Sequence, residues 1–148
     1  MSKQQNVAAQ ERLAEGINSG DMDVMDAVFA SNVVDHDPAP DQGPGPEGYK
    51  QFFTTLRSAF PDLQITPDRL IADEENVVVA YTLSGTHRGN FQGVPATGKH
   101  VSVRGMQIGR FEAGKIVERW GATDELGILR QLGVDPTASQ STGAHQVR

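Results

Sequence analysis

The residues best placed to do chemistry lie in the run from Glu118 to Gly133. There a carboxylate, Asp124, stands where an apolar strand gives way to an apolar helix, four residues after the only tryptophan, Trp120. A carboxylate at such a junction is a candidate base, able to take a proton from an acidic carbon and return it to a developing alkoxide. It is also a preferred residue for capping the helix that follows, and the two roles are compatible. A second polar cluster, Val33-Val-Asp-His-Asp-Pro38, sets His36 at the end of a predicted strand, with Asp35 and Asp37 as local hydrogen-bonding partners. His36, His87, His100 and His145 show no metal-ligand spacing and the chain has no cysteine, so no metal site is expected.

Those residues must be positioned by one domain, since 148 residues suit one hydrophobic core. A single domain is expected over residues 1–134, with residues 135–148 as a disordered polar tail. The net charge of −6 without a Lys/Arg cluster argues against nucleic acid or an anionic membrane and for a small-molecule partner. The N-terminus lacks the apolar core of a signal peptide, and no window approaches the ~18 apolar residues of a membrane span. A cytoplasmic protein is the expectation.

Ala9, Leu13 and Ile17 recur at helical spacing, and Met25, Val28 and Phe29 mark a short second helix ending near Ala30. A strand is predicted at Val33 to His36, then a proline-rich loop to Pro46. Tyr49, Phe52, Phe53, Leu56 and Phe60 form the apolar stripe of a third helix closed by Pro61. Long alternating segments follow at Leu63 to Ala72, Asn76 to His87, His100 to Glu112 and Lys115 to Thr123, which read as an antiparallel sheet buried on one face. The connection Arg88 to Gly98, carrying Phe91, is long enough to act as a lid. Leu126, Leu129 and Leu132 make a last helix ending at Gly133. Helices first and a bent sheet afterwards give an α+β domain.

Glu112-Ala-Gly-Lys115 has the form of a two-residue hairpin. An unbroken register then sets Phe111 opposite Ile116, Gly109 opposite Glu118, Gln107 opposite Trp120, Gly105 opposite Ala122 and Val103 opposite Asp124. One face would join Asp124, Gln107 and Trp120, with Gly105, Ala122 and Gly109 leaving room for a cavity. The other face would carry Ser102, Arg104, Met106, Ile108, Arg110, Val117, Arg119 and Thr123, a surface suited to solvent or to a second subunit.

Three blocks carry a family resemblance: Gly85-Thr-His-Arg-Gly-Asn-Phe-Gln-Gly-Val-Pro-Ala-Thr-Gly98, Arg110-Phe-Glu-Ala-Gly-Lys-Ile116 and Asp124-Glu-Leu-Gly-Ile-Leu-Arg-Gln-Leu-Gly133. In order and spacing they resemble the SnoaL-like polyketide (ester) cyclases. The resemblance implies the cone-shaped α+β barrel of the nuclear transport factor two-like superfamily, a curved sheet around a deep pocket. It implies an intramolecular aldol condensation on an anthraquinone methyl ester without metal or cofactor, with Asp124 as the acid/base. Gln107 stands where the well-studied cyclases carry a histidine; it can hydrogen-bond an oxyanion but cannot relay a proton. His36, Asp37, Phe53, His87, Phe91 and Trp120 are the residues expected to meet the substrate. Two alternatives accompany this reading: a cofactor-independent hydroxylase, or a non-catalytic domain that holds an apolar ligand. The Arg/Asp arrangement of limonene epoxide hydrolases, which share the fold, would need Arg104 to point inward and a second aspartate where Met106 stands. A homodimer through the outer sheet face is expected, because Met106, Ile108 and Val117 lie there.

Overall fold

Ser2 starts the first helix: its hydroxyl accepts the N–H of Gln5 at 3.1 Å, and the Gln5 side chain accepts the N–H of Ser2 at 3.3 Å. Helix α1 (Lys3–Ser19) runs from this reciprocal cap to Gly20, whose φ of 82° ends it. In this computed structural model, residues 2–134 are described, and the tail expected over 135–148 lies outside them. Helix α2 (Val24–Val28) passes without a loop into strand β1 (Phe29–Asp35). The strand begins four residues before the predicted Val33 because the Phe29 ring stacks on Tyr49, with centroids 4.1 Å apart. Tyr49 lies on α3 (Gly45–Ala59), which has Pro46 in its first turn.

Strands β2 (Gln64–Ala72), β3 (Asn76–Thr86), β4 (His100–Glu112) and β5 (Lys115–Thr123) follow, then the short helix α4 (Glu125–Gln131). The five strands form one sheet in the order β1-β5-β4-β3-β2. All neighbours are antiparallel except β1 and β5, which run parallel. Burial alternates along β3 and β4, as a sheet covered on one face requires. Val77, Val79, Leu83, Val101 and Val103 turn inward, and Leu13, Ile17, Leu56 and Phe60 cover them from the helical side. This mixed α+β cone is the predicted fold class. Among the described residues, no helix is long and apolar enough to cross a membrane.

The hairpin turn forms as expected, with Ala113 at φ 51° and Gly114 at φ 80° between the paired Glu112 and Lys115. The register beyond it does not hold. Phe111 faces Ile116, but Arg110 then faces Glu118, so Val117 is an extra residue on β5. Every later pair is shifted by one: Gly109 meets Arg119, Ile108 meets Trp120 and Gln107 meets Gly121. An unbroken ladder would turn Glu118 inward and Arg119 outward, leaving the Asp35 carboxylate without its cation; the bulge avoids that charge burial. It places Glu118 outside, hydrogen-bonded to Arg110 at 2.5 Å and to His36 at 2.9 Å, and turns Arg119 inward beside Asp35.

The expected voids at Gly105 and Gly109 are also corrected. A Cβ on Gly105 would strike the Tyr81 ring, and one on Gly109 would lie 3.3 Å from Ile116, so neighbouring side chains already fill both spaces.

Candidate active site

The sheet, α1, α3 and the segment after β3 enclose a cavity of about 650 Å³. Its wall is mainly apolar, with Phe52, Phe53 and Leu56 from α3, Val79 and Leu83 from β3, and Phe91 from the segment after β3. One side differs. Asp35, Asp37, Gln42, Gln107 and Arg119 line it, with Gln10 arriving from α1.

Arg119 joins this polar wall together. Its Nε donates to Gln107 Oε1 at 3.1 Å, and its Nη1 donates to Asp35 Oδ1 at 3.2 Å and to the Asp37 carbonyl at 3.3 Å. Asp35 also accepts the Asp37 N–H at 2.9 Å and the Gln42 amide at 3.0 Å. Because Gln107 gives its carbonyl oxygen to Arg119, its amide nitrogen is left as the donor end, 3.4 Å from Gln10 Oε1. Asp37 Oδ2 accepts the N–H of Gly121 at 2.9 Å, which ties the loop after β1 to β5.

Burial alone would raise the Asp35 carboxyl. The Asp37 N–H, the Arg119 guanidinium and the Gln42 amide outweigh it and hold the group below the ordinary aspartate range. Burial and then the neighbouring Asp35 charge push the Tyr49 phenol well above its usual range, so it stays protonated. The Tyr49 hydroxyl, sealed from solvent, makes no well-formed hydrogen bond among the described residues.

A depressed carboxyl stabilises the fold fully above the ordinary aspartate value of 3.8, and that contribution is lost as the pH falls through the lower folded value. The stability gap between wild type and Asp35→Asn is therefore expected to be level from about pH 5 to 8 and to narrow below about pH 4. Urea unfolding across that range reads the gap. A gap that stays level to about pH 2 would show that these donors do not hold the carboxylate ionised.

A family model for SnoaL-like polyketide cyclases matches residues 7–132. The chain belongs to this family. It is 32% identical over 130 residues to the aklanonic acid methyl ester cyclase DauD of Streptomyces sp. (strain C5), covering 82% of this chain and 78% of that one. It is equally identical, over 130 residues, to the aklanonic acid methyl ester cyclase DnrD of Streptomyces peucetius, covering 82% of this chain and 86% of the relative. Among solved structures, TsrD of Streptomyces laurentii superposes with a TM-score of 0.84 at 28% identity, covering 91% of this chain and 99% of TsrD. The sequence relatives support cyclase function for this SnoaL-like chain.

The family site is partly rearranged relative to the sequence expectation. Gln107, Asp37, Phe53 and Phe91 line the cavity. Trp120 does not; the Val117 bulge sends it to the outer face, where its ring stacks on His36 with centroids 4.7 Å apart. His36 leaves the cavity with it, because the residue after inward Asp35 must point outward. His87 is fully buried beneath the 88–98 segment instead of lining the pocket, and its Nδ1 accepts the Thr97 N–H at 3.2 Å. Arg104 is exposed on the outer face.

Asp124 caps α4, with Oδ1 accepting the Gly127 N–H at 2.8 Å. It is exposed and stands at the rim, between Thr123 and Glu125, which both line the cavity. The structure therefore does not assemble the expected group of Asp124, Gln107 and Trp120. Sequence reasoning missed Arg119 and gave Asp35 only a local role. A signal existed: with Val33 turned inward, period-two alternation turns Asp35 inward too, and a buried carboxylate calls for a cation.

Proposed function

We propose that this chain closes a ring on a hydrophobic polyketide ester by acid/base chemistry that its own side chains supply. The observation that carries this reading is the apolar cavity of about 650 Å³ with hydrogen-bond donors gathered on one side. Asp124 takes the proton from a carbon flanked by an ester and an aromatic ketone, through Oδ2, the oxygen not engaged by Gly127. The Gln107 amide donates to the enolate oxygen. The carbanion adds to the facing carbonyl, and the resulting alkoxide recovers the proton from Asp124. Each proton taken is returned and no electron leaves, so the sequence balances without a cofactor. Glu11, Asp35, Asp37 and Glu125 line the cavity against one arginine, a balance that favours a neutral ester over a free carboxylate.

The test is incubation with a panel of anthraquinone and naphthacene methyl esters bearing a β-keto side chain. The expected product is an isomer of unchanged mass with an altered chromophore. Tight binding with no conversion would replace this reading with a ligand-holding domain, and a product that gains one oxygen would replace it with a hydroxylase.

For assembly, the proposal is a pair of subunits joined through the outer sheet face. On that face Met106 and Ile71 are 61% and 59% exposed, and Val34 and Ile108 are exposed as well. Light scattering at micromolar concentration is expected to give twice the chain mass, and Met106→Glu is expected to return it to the monomer value. A wild type of single-chain mass would remove the proposal.

A further inference from the structure

We infer that Arg119 binds the anionic oxygen formed during the reaction, beside the Gln107 amide, and that Asp35, the Asp37 carbonyl and the Gln107 side-chain carbonyl aim its guanidinium. The inference rests on the cyclase reading of the cavity but concerns a residue that the reading does not use. Four observations carry it.

First, Arg119 is the one lysine or arginine among the described residues lining the cavity. The other charged groups facing that space are Glu11 from α1, Asp35 and Asp37 at the end of β1, and Glu125 from α4, all acidic. A developing negative charge in this cavity therefore has one cation to meet. Second, the guanidinium is held from two sides. Nε is fixed on Gln107 and Nη1 on Asp35 and the Asp37 carbonyl, which leaves the planar group little freedom to turn.

Third, the remaining nitrogen is free. Nη2 donates to no group among the described residues, and the Arg119 side chain keeps 15% of its surface exposed. A guanidinium that served only to neutralise Asp35 would need one edge; here Nη2, which donates to no described residue, still carries two N–H donors. Fourth, the backbone opposite is cut back to admit it. A Cβ at Gly121 would lie 2.7 Å from Nη2 and 2.7 Å from the Met106 carbonyl, so any larger residue there must displace the guanidinium.

An oxyanion is the ligand this arrangement fits. The pairing of Arg119 with Asp35 cancels most of the long-range field, so a carboxylate arriving from solvent gains little. Charge that develops in place, on a carbonyl oxygen already seated, meets a donor whose orientation is already fixed. The Gln107 amide nitrogen supplies a second N–H from the residue that holds Nε. Together they form a two-sided donor set for an enolate or alkoxide, in a wall that is otherwise apolar. The family histidine position is thus occupied by a residue that orients a cation.

The experiment uses a bound chromophore, so that it does not depend on turnover. 2-Hydroxyanthraquinone has a phenol whose ionisation shifts its visible absorbance, and plain anthraquinone serves as a neutral control for cavity integrity. On the wild-type protein the bound phenol is expected to titrate at lower pH than in solution. In Arg119→Met the midpoint is expected to rise by about 1 pH unit or more relative to wild type.

Removing Arg119 alone leaves Asp35 buried without its cation, so the double variant Asp35→Asn with Arg119→Met tests the same point without a lone charge. It is expected to show the same rise while binding anthraquinone as wild type does. Arg119→Lys keeps the charge but loses the aimed fork, and is expected to recover only part of the shift.

Equal midpoints in wild type and the double variant, with anthraquinone bound by both, would overturn the inference. So would failure of the wild-type cavity to bind either anthraquinone. A clear midpoint shift in a protein that converts none of the esters would overturn the cyclase reading and leave the role of Arg119 standing.

Discussion

Asp124→Asn is expected to lower ring closure by about two to four orders of magnitude while leaving the unfolding free energy within about 0.5 kcal/mol of wild type. The substitution separates the two jobs of this residue. Asparagine caps a helix about as well as aspartate, because its amide oxygen can still accept the Gly127 N–H that Asp124 Oδ1 accepts at 2.8 Å. It cannot take up a proton. Asp124→Ala is expected to lose the cap as well, at about 1 kcal/mol, and so to be less stable than Asp124→Asn with a similar loss of turnover. Initial rates on any converted ester, measured beside thermal unfolding of both variants, read the two effects independently. Full turnover in Asp124→Asn would reduce Asp124 to a helix cap and shift the search for the base to the carboxylates that line the cavity, Glu11, Asp35, Asp37 and Glu125. Turnover that falls only in step with stability would lead to the same conclusion.

Phe60→Ala is expected to cost about 3–5 kcal/mol, a large part of the stability of a domain this size. Phe60 has no exposed surface, and its ring sits 5.5 Å from His87 and 5.4 Å from Phe91, centroid to centroid. It also ends α3: its N–H reaches the Leu56 carbonyl at 2.9 Å, and its own carbonyl accepts from Leu63 at 3.0 Å. The start of the 88–98 segment hangs on the same corner, since the N–H groups of Arg88 and Gly89 both donate to the Ala59 carbonyl. Loss of the ring therefore removes core packing and the support under His87 and Phe91 together. Hydrogen exchange over residues 88–98 is expected to rise by more than the global destabilisation requires, whereas Phe60→Leu keeps most of the packing and changes both quantities less. A cost below about 1 kcal/mol for Phe60→Ala would show that the corner closes over the deleted ring and that the 88–98 segment is held elsewhere.

Much of the architecture was legible in the sequence. The 3.6-residue stripe from Tyr49 to Phe60 specified α3, and alternation specified β3 and β4 as strands and the inward face of β4, including Gln107 turned to the cavity. The Ala113-Gly114 turn was legible for the same reason: few backbones reverse a chain in two residues, and glycine in the second position marks one of them. The three family blocks added the cone and the cyclase class, which periodicity alone would not have reached.

The site was less legible. One residue, Val117, separates the expected register from the one the protein adopts. Side chains alternate with a period of two, so a single extra residue exchanged Trp120 for Arg119 on the inner face and carried His36 outward beside the tryptophan. Nothing local marks that bulge. A charge on another strand accounts for it, because the largely buried Asp35 on β1 needs a cation and Arg119 on β5 supplies it. Local pattern by itself determined which segments are helices and strands, which β4 residues face inward, and which family the chain resembles. Tertiary structure alone decided that Arg119 and Asp35, with Gln107, make the polar wall of the cavity, since the energy of a buried charge depends on strands about eighty residues apart in sequence.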